Sequence, residues 1–490
     1  MDKTFGILHL SSRTITTNNK LLLKKFTSIL NNKFSSDIKT KRTELKDVFC
    51  SISLKDKCVL EYYDDIEDFK IPLIIMKLNW SNCLKNIDLT NLSDLTINRI
   101  DLTHLVSITI DPLNSLDRDD ALSIEIINDE YIIYIHISDP TSFFNEDSII
   151  DKELSKRCFS IYLKDNVNNM MPNILSQELI SLTEGKLCRT FTCKVIFDKD
   201  FNIKSYIFFK AIIKPINMTY VQADNLKEEN IHLFNLYNFA KNLNYNKQEI
   251  YDIHIMVANY MILCNELVAT YLQNTNSIFR YNNSIIDCDN SNTNNKLNKL
   301  IKLNKQINHK RAIYSVENKE HKILDLKHYT HFTSPIRRYS DIVVHRILYN
   351  KLTNKPDYDI NYLQDICNRL NEIQNNYKYA YMLEKMFISF KNDITELDGY
   401  IIFIGDNSIK IYNEEYDVIL SFNILHNILK NIIEINIDNN KLLIRDNLNK
   451  EIVIELYQKI KFKLYKFKLN TKFYQIQLIE PSITNFLLSS

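Results

Sequence analysis

The two ends of the chain have the hydrophobic pattern of β-strands. Residues 5–10 and 47–54 near the start, and residues 399–404 near the end, are short apolar runs rich in β-branched and aromatic residues. Polar breaks separate these runs at short intervals, as in proteins built from many short strands. We therefore predict a small β-barrel region, complete or reduced, in residues 1–90 and another small barrel in residues 396–490.

The central part of the chain, residues 91–395, mixes the periods of strands and helices. The predicted strands lie near residues 106–111, 121–127 and 131–138, and the predicted helices near residues 248–273, 338–353 and 361–391. This mixture predicts an α+β domain with a mixed sheet. In the Asn- and Lys-rich stretch 281–310 we predict a surface loop or the start of a lysine-bearing helix, and not a domain boundary.

Composition and charge narrow the classes of function. Of 490 residues, 45% are hydrophobic and 25% are charged, which is usual for a soluble globular protein. We find neither an apolar run near the ~18 residues of a membrane span nor the apolar core of a signal peptide. The nine cysteines form no C-x-x-C pair, so we expect reduced thiols and predict a cytoplasmic location. With a net charge of +1, any binding of nucleic acid must use segregated basic patches.

Two lysine-rich segments are candidates for such patches. Residues 20–46 contain eight Lys or Arg side chains against only Asp37 and Glu44. Residues 459–465 alternate basic and apolar side chains, so a strand there would carry its lysines on one face. Each segment suits a surface that follows a phosphate backbone, and each suits a solvated face or an ordinary amphipathic strand equally well.

One acidic segment carries the clearest chemical signal. A predicted strand ends at Asp111 and Pro112, which cannot donate a hydrogen bond to a sheet; Asp117, Asp119 and Asp120 follow before the next strand. Four carboxylates repel one another unless a cation neutralises them. They suffice for two Mg²⁺ ions, which can stabilise the attacking and leaving oxygens in phosphodiester hydrolysis. The alternative is an exposed acidic turn, where Asp is common.

A second segment, rich in arginine and hydroxyl side chains, is equally informative. Pro335 suits the first turn of a helix and Ser334 suits the cap before it. A helix start with hydroxyls and arginines nearby is a natural phosphate site, where Arg337 could neutralise charge that develops on a phosphate. For Arg338 the alternative to such a contact is a structural ion pair with a neighbour such as Asp341.

Together, the two segments resemble the catalytic domain of the ribonuclease II, ribonuclease R and Dis3 exoribonucleases, which is the RNB-domain family. Residues 110–121 look like the acidic motif of that family, and residues 329–339 look like its second signature, nearly residue for residue. Shorter resembling pieces follow the family's order at residues 135–139, 160–163, 171–176, 265–269 and 312–315. The resemblance covers roughly residues 100–395. It implies an α+β, RNB-like catalytic domain, and it suggests flanking barrels of the small OB type.

The resemblance implies processive 3′→5′ hydrolysis of single-stranded RNA to nucleoside 5′-monophosphates. It implies that Asp111, Asp117, Asp119 and Asp120 bind two Mg²⁺ ions, with Mn²⁺ as an alternative, or orient the attacking water. Asp119 is expected to be the least replaceable of the four. Arg337 is expected to contact the scissile phosphate.

The resemblance also implies side chains that grip the strand. Tyr162, Tyr220 and Tyr260 look like aromatic positions of the family that contact the substrate, and Arg338 follows Arg337 in the basic signature. Stacking of aromatic rings on bases contributes ~1–3 kcal/mol per base and does not read the sequence. Without the resemblance, each tyrosine would be taken for an ordinary core or surface residue, since the chain has 28 of them.

Departures from the family concern mainly the flanking regions. The family usually has two cold-shock-type barrels before the catalytic domain, whereas residues 1–90 hold about one, or two badly eroded ones. Residues 396–490 resemble an S1-type barrel only loosely. A glutamate that helps some bacterial members would fall at Tyr381, with Glu384 three residues on, so none is assigned. No exosome-docking endonuclease domain is evident, and we predict a monomer that binds single-stranded RNA and no membrane.

Two other functions stay open. A catalytically inactive RNA-binding protein on a nuclease fold is the main alternative, and the intact set of four aspartates argues against it. A metal-dependent nuclease that acts on DNA, or that cuts internally, is disfavoured only by the resemblance.

Overall fold

The contacts of the chain define two compact units. The central unit comprises Trp80–Cys288 and His309–Asn376, and the flanking unit comprises Met1–Asn79, Asp289–Asn308 and Tyr377–Ser490. The computed structural model describes residues 3–9, 14–17, 48–53, 58–63, 98–163, 167–243, 252–283, 296–308, 311–389, 394–405, 408–423, 432–438, 441–446, 451–466 and 474–480. The lysine-rich segment 20–46 and the predicted boundary at residue 90 lie outside the described residues.

The N-terminal part of the flanking unit contributes one antiparallel sheet. Its strands are β1 (Lys3–His9), β2 (Thr14–Thr17), β3 (Val48–Ser53) and β4 (Cys58–Tyr63), in the order β2–β1–β3–β4. The sheet confirms that this end of the chain forms β structure. Short antiparallel strands of this kind are consistent with an OB-type domain.

The central unit is built around a mixed sheet of seven strands. The described strands of this unit are β5 (Ile100–Asp101), β6 (Ser107–Asp111), β7 (Asp120–Ile127), β8 (Glu130–Ser138), β9 (Ile161–Tyr162), β10 (Val167–Asn168), β11 (Cys188–Phe197), β12 (Ile203–Ile213), β13 (Pro215–Thr219), β14 (Phe279–Tyr281) and β15 (Ile313–Ser315). The sheet has the order β13–β6–β7–β8–β11–β12–β5, and only its two outer pairs are parallel. This confirms the predicted α+β class with a mixed sheet.

Seven helices alternate with the strands along the described part of the chain. The described helices are α1 (Ile149–Arg157), α2 (Tyr220–Leu226), α3 (Ile231–Leu243), α4 (Ile253–Tyr271), α5 (Lys296–Asn308), α6 (Tyr339–Leu352) and α7 (Ile360–Ser389), and shorter turns occupy Pro140–Ser142 and Ile174–Leu179. Helices α4, α6 and α7 occupy the three segments predicted to be helical. Their apolar side chains recur at the helical period and are largely buried, which explains why the pattern located them.

Helix α4 is long and apolar enough to resemble a membrane span. Its mean hydropathy over an 18-residue window is 1.3, and 61% of that window is buried inside the protein. Asp252 caps its first turn by accepting a hydrogen bond from the Ile255 N–H at 2.9 Å. A helix that is apolar on all sides is expected at the centre of a folded unit, which is where α4 lies.

Helix α6 begins later than the sequence predicted. The prediction that Ser334 caps the helix and Pro335 opens it is wrong, because α6 starts at Tyr339 with extended backbone at Arg338. The Ser334 N–H donates to Asp341 Oδ1 at 2.8 Å, so a carboxylate in the first helical turn fixes the preceding segment. Ser334 and the residues after it form a turn, in which the Arg338 N–H donates to the Ser334 carbonyl.

The C-terminal part of the flanking unit contains two antiparallel sheets. The strands are β16 (Ile394–Gly405), β17 (Ser408–Asn413), β18 (Val418–Asn423), β19 (Ile432–Asp438), β20 (Lys441–Asp446), β21 (Glu451–Glu455), β22 (Lys459–Lys466) and β23 (Tyr474–Glu480). One sheet has the order β18–β17–β16–β22–β23 and the other has the order β19–β20–β21. At Gly399 on β16, a Cβ atom would lie 2.5 Å from Ile411 and 2.9 Å from Phe462, so only glycine fits without a shift of its neighbours. These sheets are consistent with the predicted OB-type fold.

The lysines of β22 have carboxylate partners across the sheet. Strand β22 pairs with β16, and Lys459 lies 2.7 Å from Asp398 while Lys463 lies 2.9 Å from Glu396. The predicted strand with lysines on one face is therefore present, and carboxylates of the neighbouring strand neutralise two of its charges. This arrangement favours the amphipathic-strand interpretation over a phosphate-binding surface.

Within the Asn- and Lys-rich stretch 281–310, residues Lys296–Asn308 form helix α5. This agrees with the second of the two predictions, a lysine-bearing helix. Its Leu300 is buried against Ile402 and Tyr412, and Asn304 Nδ2 donates to the Ile402 carbonyl at 2.7 Å. These contacts place α5 in the flanking unit, although residues on both sides of the insertion belong to the central unit. The division of the chain into two units therefore does not follow the order of the sequence.

Candidate active site

The acidic segment lies at the ends of two neighbouring strands in the mixed sheet of the central unit. Asp111 ends β6 and Asp120 begins the adjacent antiparallel strand β7, so both carboxylates are held at the same end of two paired strands. The loop between them is fixed by Ser181, whose Oγ accepts from the Arg118 N–H at 3.1 Å and donates to the Leu116 carbonyl at 2.8 Å. Asp111 and Asp120 therefore lie on paired strands, and Asp117 and Asp119 lie in an anchored loop between them.

Asp119 joins the acidic loop to the arginine-rich segment. It is buried, with 5% of its surface exposed, and its Oδ1 accepts a hydrogen bond from the Ile336 N–H at 2.9 Å. Its Oδ2 lies 3.4 Å from Nε of Arg337. Arg337 keeps 44% of its side chain exposed, and its Nη2 donates to Ser334 Oγ at 2.9 Å. The guanidinium is thus held beside the carboxylates while one face stays open to a ligand.

Burial raises the proton affinity of these carboxylates. It raises the pKa of Asp111 to about 6, against a hydrogen bond from Thr109 and the charge of Arg118. Burial and then the charge of Asp111 raise the pKa of Asp120 to about 7, while Arg337 acts in the opposite direction. Burial raises the pKa of Asp119 well above its usual range, even though Arg337 and the Ile336 N–H favour the charged form. A further cation would be needed to hold the whole cluster deprotonated.

The donor set of the cluster fits Mg²⁺. Asp111 Oδ2 is buried without a hydrogen-bond partner, and its nearest cation is Nε of Arg118 at 3.9 Å. Across the described ranges, no group of three or more His, Cys, Asp or Glu side chains is arranged to hold a metal ion. Mg²⁺ usually binds one or two carboxylates and completes its shell with waters and substrate phosphate oxygens. The arrangement suits ions bound jointly by aspartates and substrate.

Tyr162 lies beside the acidic loop, as the sequence led us to expect. Its hydroxyl approaches Asp117 Oδ2 at 3.5 Å, and 39% of the residue is exposed. Burial of the hydroxyl, and then the charge of Asp117, raise its pKa above the usual range. The side chain is therefore neutral and is available for stacking next to the carboxylates.

Tyr220 is also close to the carboxylates. It opens helix α2, where Thr219 and Gln222 form a capping box. Its ring stacks on His254 with 3.5 Å between the ring centroids and 15° between the planes. Burial, followed by the charges of two site aspartates, raises its pKa to about 12. His254, an exposed residue in the first turn of α4, was not predicted, and no motif marks it in the sequence.

Two predicted RNA contacts need correction. Tyr260 is only 1% exposed, and its hydroxyl donates to the Leu236 carbonyl at 2.8 Å inside the central unit. Arg338 donates to Asp341 Oδ1 from Nη2 at 2.7 Å and from Nε at 3.1 Å, and only 16% of its side chain is exposed. The structure does not bring Tyr260 to the carboxylates, and it gives Arg338 the structural ion pair that was the alternative.

Asn265 supports the arginine-rich segment in a way that its motif alone did not show. Its Oδ1 accepts from the Phe332 N–H at 2.8 Å, and its Nδ2 donates to Tyr329 and to Thr333, each at 3.3 Å. Helix α4 thereby holds the segment that supplies Arg337.

A buried charge cluster with Asp139 at its centre was also missed. Asp139 binds Lys210 and Arg99, each at 2.7 Å. Burial alone would raise the pKa of Asp139, but these two cations hold it well below its usual range. Such long-range partners have no local signal in the sequence.

Comparison with known proteins identifies the family of the chain. The family model of the RNB domain matches residues 99–243 and 216–354, which together span more than half of the chain. The chain therefore belongs to the RNB domain family, and the family predicted from the two motifs is confirmed.

Two similar curated relatives are both ribonucleases R. The chain is 28% identical to ribonuclease R of Aquifex aeolicus over 347 residues, which cover 54% of this chain and 48% of that protein. It is 27% identical to ribonuclease R of Chlamydia pneumoniae over 314 residues, which cover 50% and 46%. The chain thus spans about half the length of the curated relatives it matches.

Solved structures share the fold. RNase R of Mycoplasma genitalium, in complex with ribose methylated single-stranded RNA, aligns with a TM-score of 0.66 and 22% identity, covering 88% of this chain and 83% of that chain. Yeast Ssd1, described as a pseudonuclease, aligns with a TM-score of 0.67 and 15% identity, covering 98% and 83%. Because one of these neighbours is called a pseudonuclease, the fold alone does not decide activity.

Proposed function

We propose that this chain is a metal-dependent exoribonuclease that hydrolyses single-stranded RNA processively from its 3′ end and releases nucleoside 5′-monophosphates. The observation that carries the proposal is the contact of buried Asp119 with both the Ile336 N–H and Arg337. This contact unites four carboxylates and an open guanidinium in one site. Such a pairing suits phosphodiester hydrolysis, because the reaction needs an activated water and stabilisation of developing negative charge.

Each side chain has a distinct task in the proposed reaction. Asp111, Asp117, Asp119 and Asp120 would hold two Mg²⁺ ions, which when bound supply an activated water and charge stabilisation. Arg337 would bind the non-bridging oxygens of the scissile phosphate through a guanidinium that Ser334 already orients.

Aromatic side chains beside the cluster would position the end of the strand. The partly exposed ring of Tyr162 can stack on a base while its hydroxyl stays near Asp117. Tyr220, backed by His254, offers a second aromatic surface within electrostatic reach of the carboxylates. Stacking of this kind tolerates any base, as expected of an enzyme that degrades RNA without regard to sequence. We further propose that the protein acts in the cytoplasm as a monomer.

A catalytically inactive RNA-binding protein is the second candidate, because yeast Ssd1 shares the fold. The two functions make opposite predictions for digestion of a 5′-labelled single-stranded RNA. With Mg²⁺, an exonuclease should convert the RNA to a short 5′-labelled remnant, and EDTA should stop the reaction. Asp119→Asn should also stop it, since the amide keeps the shape of the side chain but not its charge.

Arg337→Lys and Tyr260→Phe complete the design. Arg337→Lys should slow digestion by ~10²–10³-fold, because lysine keeps the charge and loses the planar fork. Tyr260→Phe is the matched control and should digest RNA like the parent, since Tyr260 is buried away from the carboxylates. Internal fragments would overturn the exonuclease assignment. RNA binding without any Mg²⁺-dependent cleavage would establish the inactive alternative.

A further inference from the structure

Arg280 is a half-buried cation that is held by a neutral amide and an aromatic ring. It lies on β14 with its guanidinium carbon 4.6 Å from the ring centroid of Tyr314, on the paired strand β15. Its Nη1 donates to Gln374 Oε1 at 3.0 Å. Within the described ranges, no Asp or Glu lies within ion-pair distance of it. A neutral amide and an aromatic ring orient this arginine, and neither of them carries a negative charge.

Arg311 brings a second positive charge to the same place. Arg311 is exposed at the surface. Partial burial of its guanidinium, followed by the charge of Arg280, lowers its pKa. Gln374, which accepts from Arg280, also donates from Nε2 to the carbonyl of Ala312, the residue after Arg311, at 3.4 Å. Arg311 therefore follows directly on backbone that is held beside Arg280, and the two like charges repel each other.

The surroundings of the pair do not neutralise it. His331 is half-buried beside Tyr314, with Nδ1 2.8 Å from the Tyr314 hydroxyl, and burial followed by the charge of Arg338 and then of Arg280 holds its pKa well below the usual range. Burial lowers the pKa of His321 to about 4; the charge of Arg280 acts in the same direction and a backbone hydrogen bond acts in the opposite one. Both imidazoles are therefore neutral at pH 7. A cationic pair of this kind favours an anionic ligand.

The pair is connected to the candidate active site through Tyr314. On the other side of that ring lies Phe159, with 6.1 Å between the ring centroids. Phe159 is followed by Ser160, whose N–H donates to the Arg337 carbonyl at 3.0 Å, and the same segment continues to Tyr162. The segment that carries Phe159 and Tyr162 therefore joins Tyr314, and through it Arg280, to the candidate active site.

We propose that Arg280 and Arg311 form a second phosphate site, which binds a backbone phosphate of the RNA away from the bond that is cut. The inference rests on the proposed function, since it takes RNA as the substrate. Arginine suits this task because its planar group can stack on Tyr314 and still present N–H donors to phosphate oxygens. Such a contact would hold strands of any sequence and would not reach a very short oligonucleotide.

Salt-dependent RNA binding tests the site directly. The full chain is titrated with a long single-stranded RNA in EDTA, so that no cleavage occurs, at several salt concentrations. Arg280→Gln and Arg311→Gln should each weaken binding by about tenfold. Each should also reduce the slope of log Kd against log salt by about 0.7, the value for one phosphate contact of a single strand. Arg369→Gln, an exposed arginine of α7 bonded to the Ser155 carbonyl, is the matched control and should leave both quantities unchanged.

Gln374→Glu distinguishes a phosphate site from a purely structural arginine. The new carboxylate would form an ion pair with Arg280 and compete with an RNA phosphate. We expect stability to be kept or raised while RNA binding weakens as much as in Arg280→Gln. Parent affinity in Gln374→Glu, together with an unchanged salt slope in both arginine variants, would overturn the phosphate site.

Failure of this inference and failure of the proposed function can be told apart. If the parent digests RNA from its 3′ end but all variants bind RNA like the parent, only the second phosphate site is wrong. If the parent binds without cleaving, the exonuclease is wrong and the salt slopes still decide the phosphate site. If the parent does not bind RNA at all, both are wrong.

Discussion

Asp120→Asn should stabilise the metal-free protein at neutral pH and have little effect at acidic pH. Burial, followed by the charge of Asp111, raises the pKa of Asp120 from 3.8 to about 7 in the folded state. Between these two values, the unfolded chain has released a proton that the folded protein still holds. The contribution of Asp120 to stability therefore falls as pH rises from about 4 to about 7 and then stays constant.

The size of the effect follows from the two pKa values. A pKa raised from 3.8 to about 7 corresponds to about 4 kcal/mol of unfavourable free energy for the ionised, folded form. An amide has nearly the shape of a protonated carboxyl group and does not ionise. The variant and the parent should thus have similar free energies of unfolding near pH 4. Above pH 7 the variant should be more stable by up to about 4 kcal/mol.

Urea denaturation followed by circular dichroism, in EDTA and at both pH values, measures this difference. Mg²⁺ at about 100 times its Kd should stabilise the parent by about 2.7 kcal/mol and should stabilise Asp120→Asn less. Asp357→Asn, at an exposed position, serves as the control. A stability difference that does not change with pH would refute the reasoning, and equal Mg²⁺ effects on parent and variant would refute the metal-ligand role.

The remaining predictions concern the corrected residues and the flanking unit. Tyr260→Phe should lower the free energy of unfolding by about 0.5–1.5 kcal/mol through loss of the bond to Leu236, without changing RNA affinity in a binding titration. Weaker RNA binding in this variant would show that Tyr260 contributes to the RNA site. Asp341→Ala should cost about 3–5 kcal/mol in urea denaturation, because Arg338 would stay buried without its partner, and a cost near zero would contradict the buried pair. Gly399→Ala should destabilise the flanking unit by about 1–3 kcal/mol through overpacking, so an unchanged thermal transition would show that the neighbouring side chains give way.

Local patterns predicted the elements around the site well. Strands β6, β7 and β8 lie within about a residue of their expected bounds, and α4 and α6 occupy their predicted segments. These elements are strongly apolar and bury the side chains that create the period. The start of α6 was misplaced because Asp341, seven residues after Ser334, caps the preceding segment, and that hydrogen bond exists only once the turn has formed.

Neighbouring residues show where local patterns stop being informative. Arg337 and Arg338 are adjacent and chemically identical, yet one faces the carboxylates and the other is buried against Asp341. Tyr162 and Tyr260 were equally plausible partners for a base, and only one has an exposed ring. The direction of a side chain depends on what packs around it, which no single motif specifies.

The sequence by itself determined the family, the α+β class of the central unit and the four aspartates, because these properties are carried by contiguous residues. The carboxylates of residues 111–120 are near one another because they are close together in the sequence. Only the tertiary structure decided that the Ile336 N–H reaches Asp119 across 217 positions and that Arg280 shares Tyr314 with His331. Such contacts depend on the packing of elements that are distant in the sequence, and the local order of residues does not specify that packing.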